Sequence, residues 1–335
     1  MDAGLTWQVV YENVPEADGC FTFIQYDQAV NDYDRAIHRF AVANPDHAKK
    51  VSAGIMAQDD LKFRIHASSE LQSGLYHHRP IFTRTVENRS DGSPFVEVHT
   101  IGHAHWKLLK GQQFKGFRTG GAVENAIREV CQQAGVTIEV SAASEALDEF
   151  DILYQPGCSY WDFITRYLIP KFGETVFVTT RDCQSLKLEQ ADKLETLNID
   201  TVMIIVTENS ESSFQQHTLG GGKLSTHWLD PFHNKVVVPI DTGSPLHGSE
   251  ARSVGVSRFR DRGTVQAISR GRNKLAARYK LRSLTLRGFI PLTGHLSPSY
   301  TLKCPMADIN GILVSVSHVI KGSKYQIRAN LWDTQ

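Results

Sequence analysis

The chain has 335 residues, with 36 Lys+Arg against 36 Asp+Glu and therefore no formal net charge. That balance argues against a nucleic-acid coat protein or a polybasic membrane protein, and a composition 41 % hydrophobic and 21 % charged excludes a disordered chain. A chain of this length builds a core over several modest domains without disulfide or metal staples.

Residues 1–105 read mostly as strand and loop. Leu61–His66, Ile81–Val86 and Phe95–Ile101 are short runs rich in Val, Ile, Thr and Phe, separated by turn-formers such as Asn88 to Pro94. In the last run Phe95, Glu97, His99 and Ile101 share one face, and Val96, Val98 and Thr100 share the other. His77 and His78 point to opposite faces if extended.

Residues 120–135 predict a helix. Val123, Ile127, Val130 and Ala134 recur at helical spacing, with Gly135 as its stop. A strand follows at Val136–Val140, and Asp151–Pro156 reads as extended. Ser159 then caps a second helix with Asp162 at the capping-box position, and Asp162 and Arg166 form an i,i+4 pair. Pro170 and Gly173 end it. Strands at Thr175–Thr179 and Leu186–Leu188 complete a small α+β module.

Residues 199–207 predict a buried strand, and the polar, Gly-rich stretch 208–227 a long loop or hairpin. Residues 264–280 predict a basic helix around Val265, Ile268, Leu275 and Ala276. The end is β, with strands at Leu284–Phe289, Tyr300–Lys303, Ile312–Val319 and Tyr325–Leu331. Val314, Val316, His318 and Ile320 alternate with Leu313, Ser315, Ser317 and Val319, and Lys321 to Lys324 forms the last turn. The expected fold is a β-dominated α+β chain. Its expected divisions are a first β-barrel-like domain at 1–105, the α+β module at 106–195, a second β domain with its long loop at 196–263, and the basic helix with closing strands at 264–335.

The zero net charge hides an asymmetry. Residues 1–251 hold 21 basic and 33 acidic residues, a net of −12; residues 252–287 hold 11 and one, a net of +10; residues 288–335 hold four and two. Arg270, Arg272, Lys274, Arg278, Lys280 and Arg282 make the basic block a candidate subunit- or partner-binding surface. From Arg270 to Arg282 only Tyr279 is an interleaved aromatic, too few for a base-stacking surface.

Catalytic and ligand motifs are sparse. Cys20, Cys131, Cys158, Cys183 and Cys304 are odd in number and contain no CxxC pair, so reduced buried thiols are expected. His103 and His105 face the same way on a strand and are the candidate metal ligands, but no nearby Asp, Glu or Cys completes a set. Ordinary strand or loop histidines are the better reading. Gly220 to Thr226 fails as a phosphate loop because Leu224 separates Lys223 from Ser225 and His217 stands where the first glycine belongs. No Gly-x-Ser-x-Gly elbow or paired-carboxylate motif occurs, so no catalytic residue and no cofactor is expected. The first 19 residues hold no apolar stretch of signal-peptide length, and the run near Val202–Val206 is far short of the roughly 20 residues of a membrane helix. The expectation is synthesis in the cytoplasm without membrane insertion.

Residues 106–190 resemble the central segment of phage tail baseplate hub proteins, the group of the late-control D proteins and the hub part of type VI secretion spikes. Gln155, Ser159, Trp161, Asp162, Phe163 and Arg166 match that family's helix-entry pattern. Cys158 and Tyr160 stand where it carries acids, and Tyr167 where it carries Leu. The C-terminal third is also similar, with His318, Tyr325 and Leu331 in comparable places; the first 105 residues carry no matching motif. The resemblance implies a homotrimeric ring, in which two barrel-like domains per chain reconcile threefold with sixfold symmetry. It implies a structural adaptor joining tail tube to central spike around a lumen for DNA passage, located in the virion tail tip. Its expected partners are further copies of itself, the tube or tube-initiator protein, the spike, the tape-measure C-terminus and baseplate wedge proteins. The alternatives are a tail-tip cell-wall or glycan hydrolase and a nucleic-acid-binding protein acting through 252–287.

Overall fold

A computed structural model describes residues 7–17, 19–66, 74–87, 93–111, 116–118, 122–142, 152–154, 158–169, 172, 176–180, 182–201, 204–211, 223–230, 235–240, 251–257, 280–287, 296–322 and 324–333. The strands are β1 (Gln8–Tyr11), β2 (Phe21–Ala29), β3 (Arg35–Ala41), β4 (Leu61–His66), β5 (Tyr76–Glu87), β6 (Pro94–Gly102), β7 (Gly116–Arg118), β8 (Thr137–Val140), β9 (Ile152–Tyr154), β10 (Val176–Thr179) and β11 (Ser185–Gln190). They continue with β12 (Thr196–Asn198), β13 (Ile204–Glu211), β14 (Lys223–Asp230), β15 (Lys235–Ile240), β16 (Ala251–Ser257), β17 (Lys280–Arg287), β18 (Thr301–Cys304), β19 (Ile309–Lys321) and β20 (Lys324–Asp333). The helices are α1 (Pro45–Met56), α2 (His103–Lys110), α3 (Val123–Gln133) and the single turn α4 (Tyr160–Asp162), which continues as a π-helix over Phe163–Leu168. The fold is α+β and dominated by β structure. Among the described residues no helix is long and apolar enough to cross a membrane.

One sheet runs from the first strand nearly to the last, in the order β1-β4-β5-β6-β3-β2-β19-β20-β17-β13, with β18 on β19 and β12 on β18. The seam is the antiparallel pairing of β2 with β19, where Tyr26 faces His318 and Ile24 faces Ile320. Along the seam, from Ile24 in β2 and from Ser315 in β19, every second residue is buried. The β19–β20 hairpin turns at Gly322, whose φ of +58° suits glycine.

Among the described residues the three largest cores lie against this sheet and beside it. The first gathers Val9, Tyr11, Ile24, Tyr26, Phe40, Phe63, Ile65, Val96 and Val98 with Val51 and Ile55 of α1, and reaches Cys183 and Ile320. The second holds α2, α3 and the α4 region against β10 and β11, through Leu108, Ile127, Val130, Trp161, Phe163, Ile164, Val178 and Leu186. The third packs Leu284, Leu286, Leu302, Leu313, Ile327 and Leu331 under the C-terminal strands. Each buried side chain of this size contributes roughly 1.5–3 kcal/mol, so cores of this extent balance the ordering entropy without covalent staples. All five cysteines are free.

Most expected elements are present, and several differ. α1 lies in a stretch read as strand and loop; Asn44 caps it by accepting from the His47 N–H at 2.9 Å, and Pro45 sits at its first turn. His103 and His105 lie on helix α2, not on a strand, because the alternation of β6 stops at Gly102. The strand expected at 199–207 starts at Ile204, and the stretch 208–227 carries the end of β13 and most of β14. Lys280 and Arg282, expected on a basic helix, lie on strand β17, where Leu284 and Leu286 bury at period two. The rest of that expected helix, with Arg270, Arg272, Lys274 and Arg278, lies outside the described residues, as does Gln155.

Candidate functional site

The sequence motif around Ser159 folds as its spacing requires. The Ser159 hydroxyl accepts from the Asp162 backbone N–H at 3.1 Å, capping the turn, and donates to the Asp162 carboxylate at 2.8 Å. Asp162 also meets Arg166 at 3.0 Å, an exposed pair. Trp161 is buried with its ring 4.6 Å from the His105 ring at 90°, and Phe163 is buried beside it in the module core. Gly111 lies against the Tyr160 ring, where any Cβ would overlap it. The motif therefore sets the joint between α2 and the α4 region. These side chains are packing and capping groups.

The histidines first weighed as metal ligands separate. His105 is fully buried, its Nδ1 accepts from the Asp34 backbone N–H at 3.3 Å, and burial holds its pKa down to about 3. His103, two residues away on a helix, points elsewhere and is half-buried. Among the described residues no group of three or more His, Cys, Asp or Glu side chains is arranged to hold a metal. His77 and His78 diverge as alternation requires. The His77 Nδ1–H donates to Asp60 at 2.8 Å, while His78 points into the core.

Around His78 the fold assembles a cluster that no sequence spacing announced. The β10–β11 loop inserts Cys183 between the sheet and α2. The loop is shaped by Asp182, which accepts from the Gln184 and Ser185 N–H groups at 2.9 Å each, and by Thr180, whose hydroxyl oxygen accepts from the Cys183 N–H at 2.7 Å. Cys183 takes a left-handed conformation with φ +64°, which costs strain in any residue but glycine. Its carbonyl accepts from the Ala104 N–H at 2.7 Å. Its Sγ lies 3.1 Å from the Tyr26 hydroxyl, 3.3 Å from Asp34 Oδ2 and 3.3 Å from His78 Nε2.

The bonds continue as a chain. The Tyr11 hydroxyl donates to His38 Nδ1 at 2.7 Å, and His38 Nε2–H donates to the Thr100 oxygen at 3.2 Å. The Thr100 hydroxyl donates to His78 Nδ1 at 2.8 Å. His78 Nε2–H then faces Cys183, whose thiol donates to Asp34. With both imidazoles in the Nε2–H tautomer, every link has one donor and one acceptor. Asp34 Oδ2 also accepts from Gln28 Nε2 at 3.1 Å and from Tyr26 at 3.2 Å. All of these side chains are buried.

A thiol, an imidazole and a carboxylate within hydrogen-bond reach invite comparison with a nucleophilic triad, and the details oppose it. Burial and the neighbouring Asp34 push the Cys183 thiol well up, away from the thiolate that nucleophilic attack requires. The carboxylate meets the thiol, while His78 Nδ1 is held by a threonine, so no acid orients the imidazole as a base. Burial pushes Asp34 up to about 7 against its three donors, holds His38 down to about 3 and holds His78 well below its usual range. The cluster is a neutralised polar weld that fixes the α+β module to the sheet.

The opposite face of the sheet carries polar side chains that are mostly half-buried. Register places Gln25 and Asp27 of β2 beside Ser315 and Ser317 of β19, then Arg328 and Asn330 of β20, then Ser283 and Thr285 of β17. These residues line a groove of about 530 Å³. Several of its polar groups pair with one another. The Ser283 hydroxyl donates to Asn330 at 2.8 Å, Asn330 donates to Ser315 at 2.8 Å, and Gln25 donates to Asp27 at 3.0 Å. On the same face toward β5, Glu97 is 3 % exposed and takes Arg39 at 2.9 Å, Arg84 at 2.6 Å and His99 at 3.0 Å. Burial raises the Glu97 pKa, and the bonds from His99, Arg84 and Arg39 outweigh it and hold the carboxyl below its usual range. Arg39 also stacks over Phe23 at 4.9 Å and Phe95 at 5.3 Å. The alternation of Phe95, Glu97 and His99 was legible in the sequence; the arginines that meet them needed the register.

Comparison with known proteins places this geometry. No family model matches the chain, and no curated protein matches it. Solved structures do. A tail protein from Neisseria meningitidis is 13 % identical over 98 % of this chain and 97 % of its own, with a TM-score of 0.65. The 43 kDa tail protein of prophage MuSo2 from Shewanella oneidensis is 11 % identical over 93 % of each chain, with a TM-score of 0.59. An Escherichia coli component of the type VI secretion system, described as structurally similar to the T4 tail proteins gp27 and gp5, is 8 % identical over 98 % of this chain and 77 % of its own, with a TM-score of 0.60. The fold is that of phage tail proteins and the type VI component related to them.

Proposed function

We propose that the chain is a structural tail-tip hub, a homotrimeric adaptor between a tail tube and a central spike. The observation that carries this reading is the polar face over β2, β19, β20 and β17. A sheet whose other face is packed normally exposes scattered polar groups. Here short hydroxyls and amides pair across β17, β20 and β19, and Gln25 holds Asp27 along β2. Such a layer is wetted yet offers few unpaired groups to grip a passing chain, which suits the wall of a lumen for DNA. The likeness to tail proteins over nearly the whole chain supports the same reading.

In this reading the β-rich parts at 1–105 and 196–263, with the closing strands of 264–335, supply two ring-forming barrel-like domains, and 106–195 is the inserted module. Two such domains in each of three copies present six similar units to a sixfold tube. The proposed location is the virion tail tip. The proposed partners are the tube or tube-initiator protein, the spike, the tape-measure C-terminus and wedge proteins. The reading assigns no reaction to the chain. Native mass spectrometry of the full chain, with class averages from negative stain, tests it: a threefold ring of three copies is expected. A monomer at every concentration, with and without tube or spike protein, would overturn it.

A further inference from the structure

We infer that the polar face carries a docking surface for an acidic protein segment, centred on the Arg39–Glu97–Arg84 cluster. Strand register draws two rows across the sheet. One runs Arg84, Glu97, Arg39, Phe23, Lys321 and Lys324 through β5, β6, β3, β2, β19 and β20, with four cations and one acid. At about 4.8 Å per strand the row extends for roughly 24 Å. The row beside it carries Phe82, His99, Ile37, Gln25, Val319 and Gln326. Ile37 and Val319 are half-buried, Phe82 is half exposed, and Lys321 and Lys324 are exposed. The surface is complete in one copy of the chain, so it stands independently of the trimeric reading.

The head of the first row is a preformed clamp. Glu97 accepts from Arg39 Nε at 2.9 Å and from Arg84 Nε at 2.8 Å, and the Phe23 and Phe95 rings hold the Arg39 plane between them. Arg39 is 43 % and Arg84 55 % exposed. The Nη donors of Arg39 and the Nη1 donors of Arg84 have no partner among the described residues. One covered acid thus turns two planar forks toward solvent, the geometry that takes a further carboxylate. The bulge at Ile81 brings Phe82 onto the same face, its ring centroid 5.7 Å from that of His99. A segment that carries both carboxylates and apolar side chains satisfies both rows, its acids on the cations and its apolar groups on Phe82, Ile37 and Val319. Nucleic acid fits less well. Arg39 already covers Phe23 and Phe95, which leaves Phe82 as the one uncovered phenyl ring of the two rows, too few to stack successive bases.

Fluorescence anisotropy on the full chain reads the surface, with a short labelled peptide that alternates Glu and Phe as the probe. The same peptide with Gln for Glu and a single-stranded oligonucleotide of equal charge are the comparisons. The acidic peptide should bind, and its Gln counterpart about tenfold more weakly or less. Arg84→Lys keeps the charge and loses the planar fork, and should weaken the acidic peptide about tenfold; Phe82→Ser should cost about as much. Glu97→Gln separates an oriented clamp from bulk attraction. It makes the face more positive, so bulk attraction would tighten binding, whereas loss of the orienting acid should weaken it about threefold or more. Thermal melting checks that each variant is folded, and the exposed Arg84 and Phe82 carry the test if Glu97→Gln is not. Failure of the acidic peptide to bind the wild-type chain would overturn the assignment. So would binding unchanged in Arg84→Lys, binding tightened by Glu97→Gln, or an oligonucleotide that binds as well as the peptide.

Discussion

The Cys183 junction and the Glu97 cluster lie on opposite faces of one sheet and use similar groups to different ends. At the junction, Asp34, His78, Cys183 and Tyr26 are sealed from water, and desolvation drives each toward its neutral form. At the other face, Glu97 is equally covered, but two arginines and a histidine do the covering and keep it charged. Residue type therefore predicts little about role. What surrounds a carboxylate, donors without charge or cations open to solvent, decides whether it welds a core or organises a surface.

The largest expected effect falls on the junction. Asp34→Ala leaves three buried donors without their acceptor and should cost about 3 kcal/mol or more by chemical denaturation, given about 1–3 kcal/mol for each stranded buried group. Glu97→Gln, which leaves its arginines able to reach water, should cost clearly less. Equal losses at both sites would erase the distinction drawn here.

Acid should separate the two regions next. His38, His105 and His318 are buried with pKa values down to about 3, 3 and 4. The unfolded chain binds protons at these sites below about 6.5, so the folded state loses stability as pH falls from there toward 4. Asp34, raised to about 7, acts the other way, gaining stability as pH falls from 7 toward 4. Each group contributes a limiting slope of about 1.4 kcal/mol per pH unit, and the histidines outnumber the single acid. Melting temperature should therefore fall between pH 6.5 and 4.5. His318→Gln should flatten that slope, whereas Arg84→Ala should not; a wild-type profile without a downward slope would mean that the buried histidines gain protons in place.

Thiol chemistry gives a further contrast. Cys20 and Cys158, half-exposed, should react with a maleimide in the native protein, while Cys183 should react only after unfolding. Rapid native labelling of Cys183 would show that the junction opens. The smallest effect sets the floor for all of these. Arg166→Ala breaks an exposed pair with Asp162 and should change stability by less than about 0.5 kcal/mol.

Local structure was legible where a residue's neighbours in sequence decide it. The Ser159 cap needed only the Ser-x-x-Asp spacing. The stop of α3 needed only Gly135, whose φ is +66° with the Val136 N–H closing on Cys131. β19 needed only its alternation. α1 was equally local, with an Asn44 cap, Pro45 and buried positions at Ala48, Val51 and Ile55, and it was overlooked because strands surround it. α2 differs from the strand expected there because His103 and His105 are spaced as on a strand, whereas the alternation of β6 stops at Gly102. The junction was not legible at all. Its partners lie 105 and 149 positions apart, and Cys183 reaches them from a left-handed turn that its own residue type does not favour. The zero net charge was legible but blunt. The basic side chains that meet Glu97, Arg39 and Arg84, come from the acidic body of the chain and were found only through strand register.

The measurement that bears most directly on the structural reading is a cryo-EM map of the assembled full chain bound to its tail tube. The account predicts three copies in a closed ring, with Gln25, Ser317, Arg328 and Asn330 facing the lumen. A map in which that face points outward, or in which the chain sits as a single copy away from the tube axis, would contradict it.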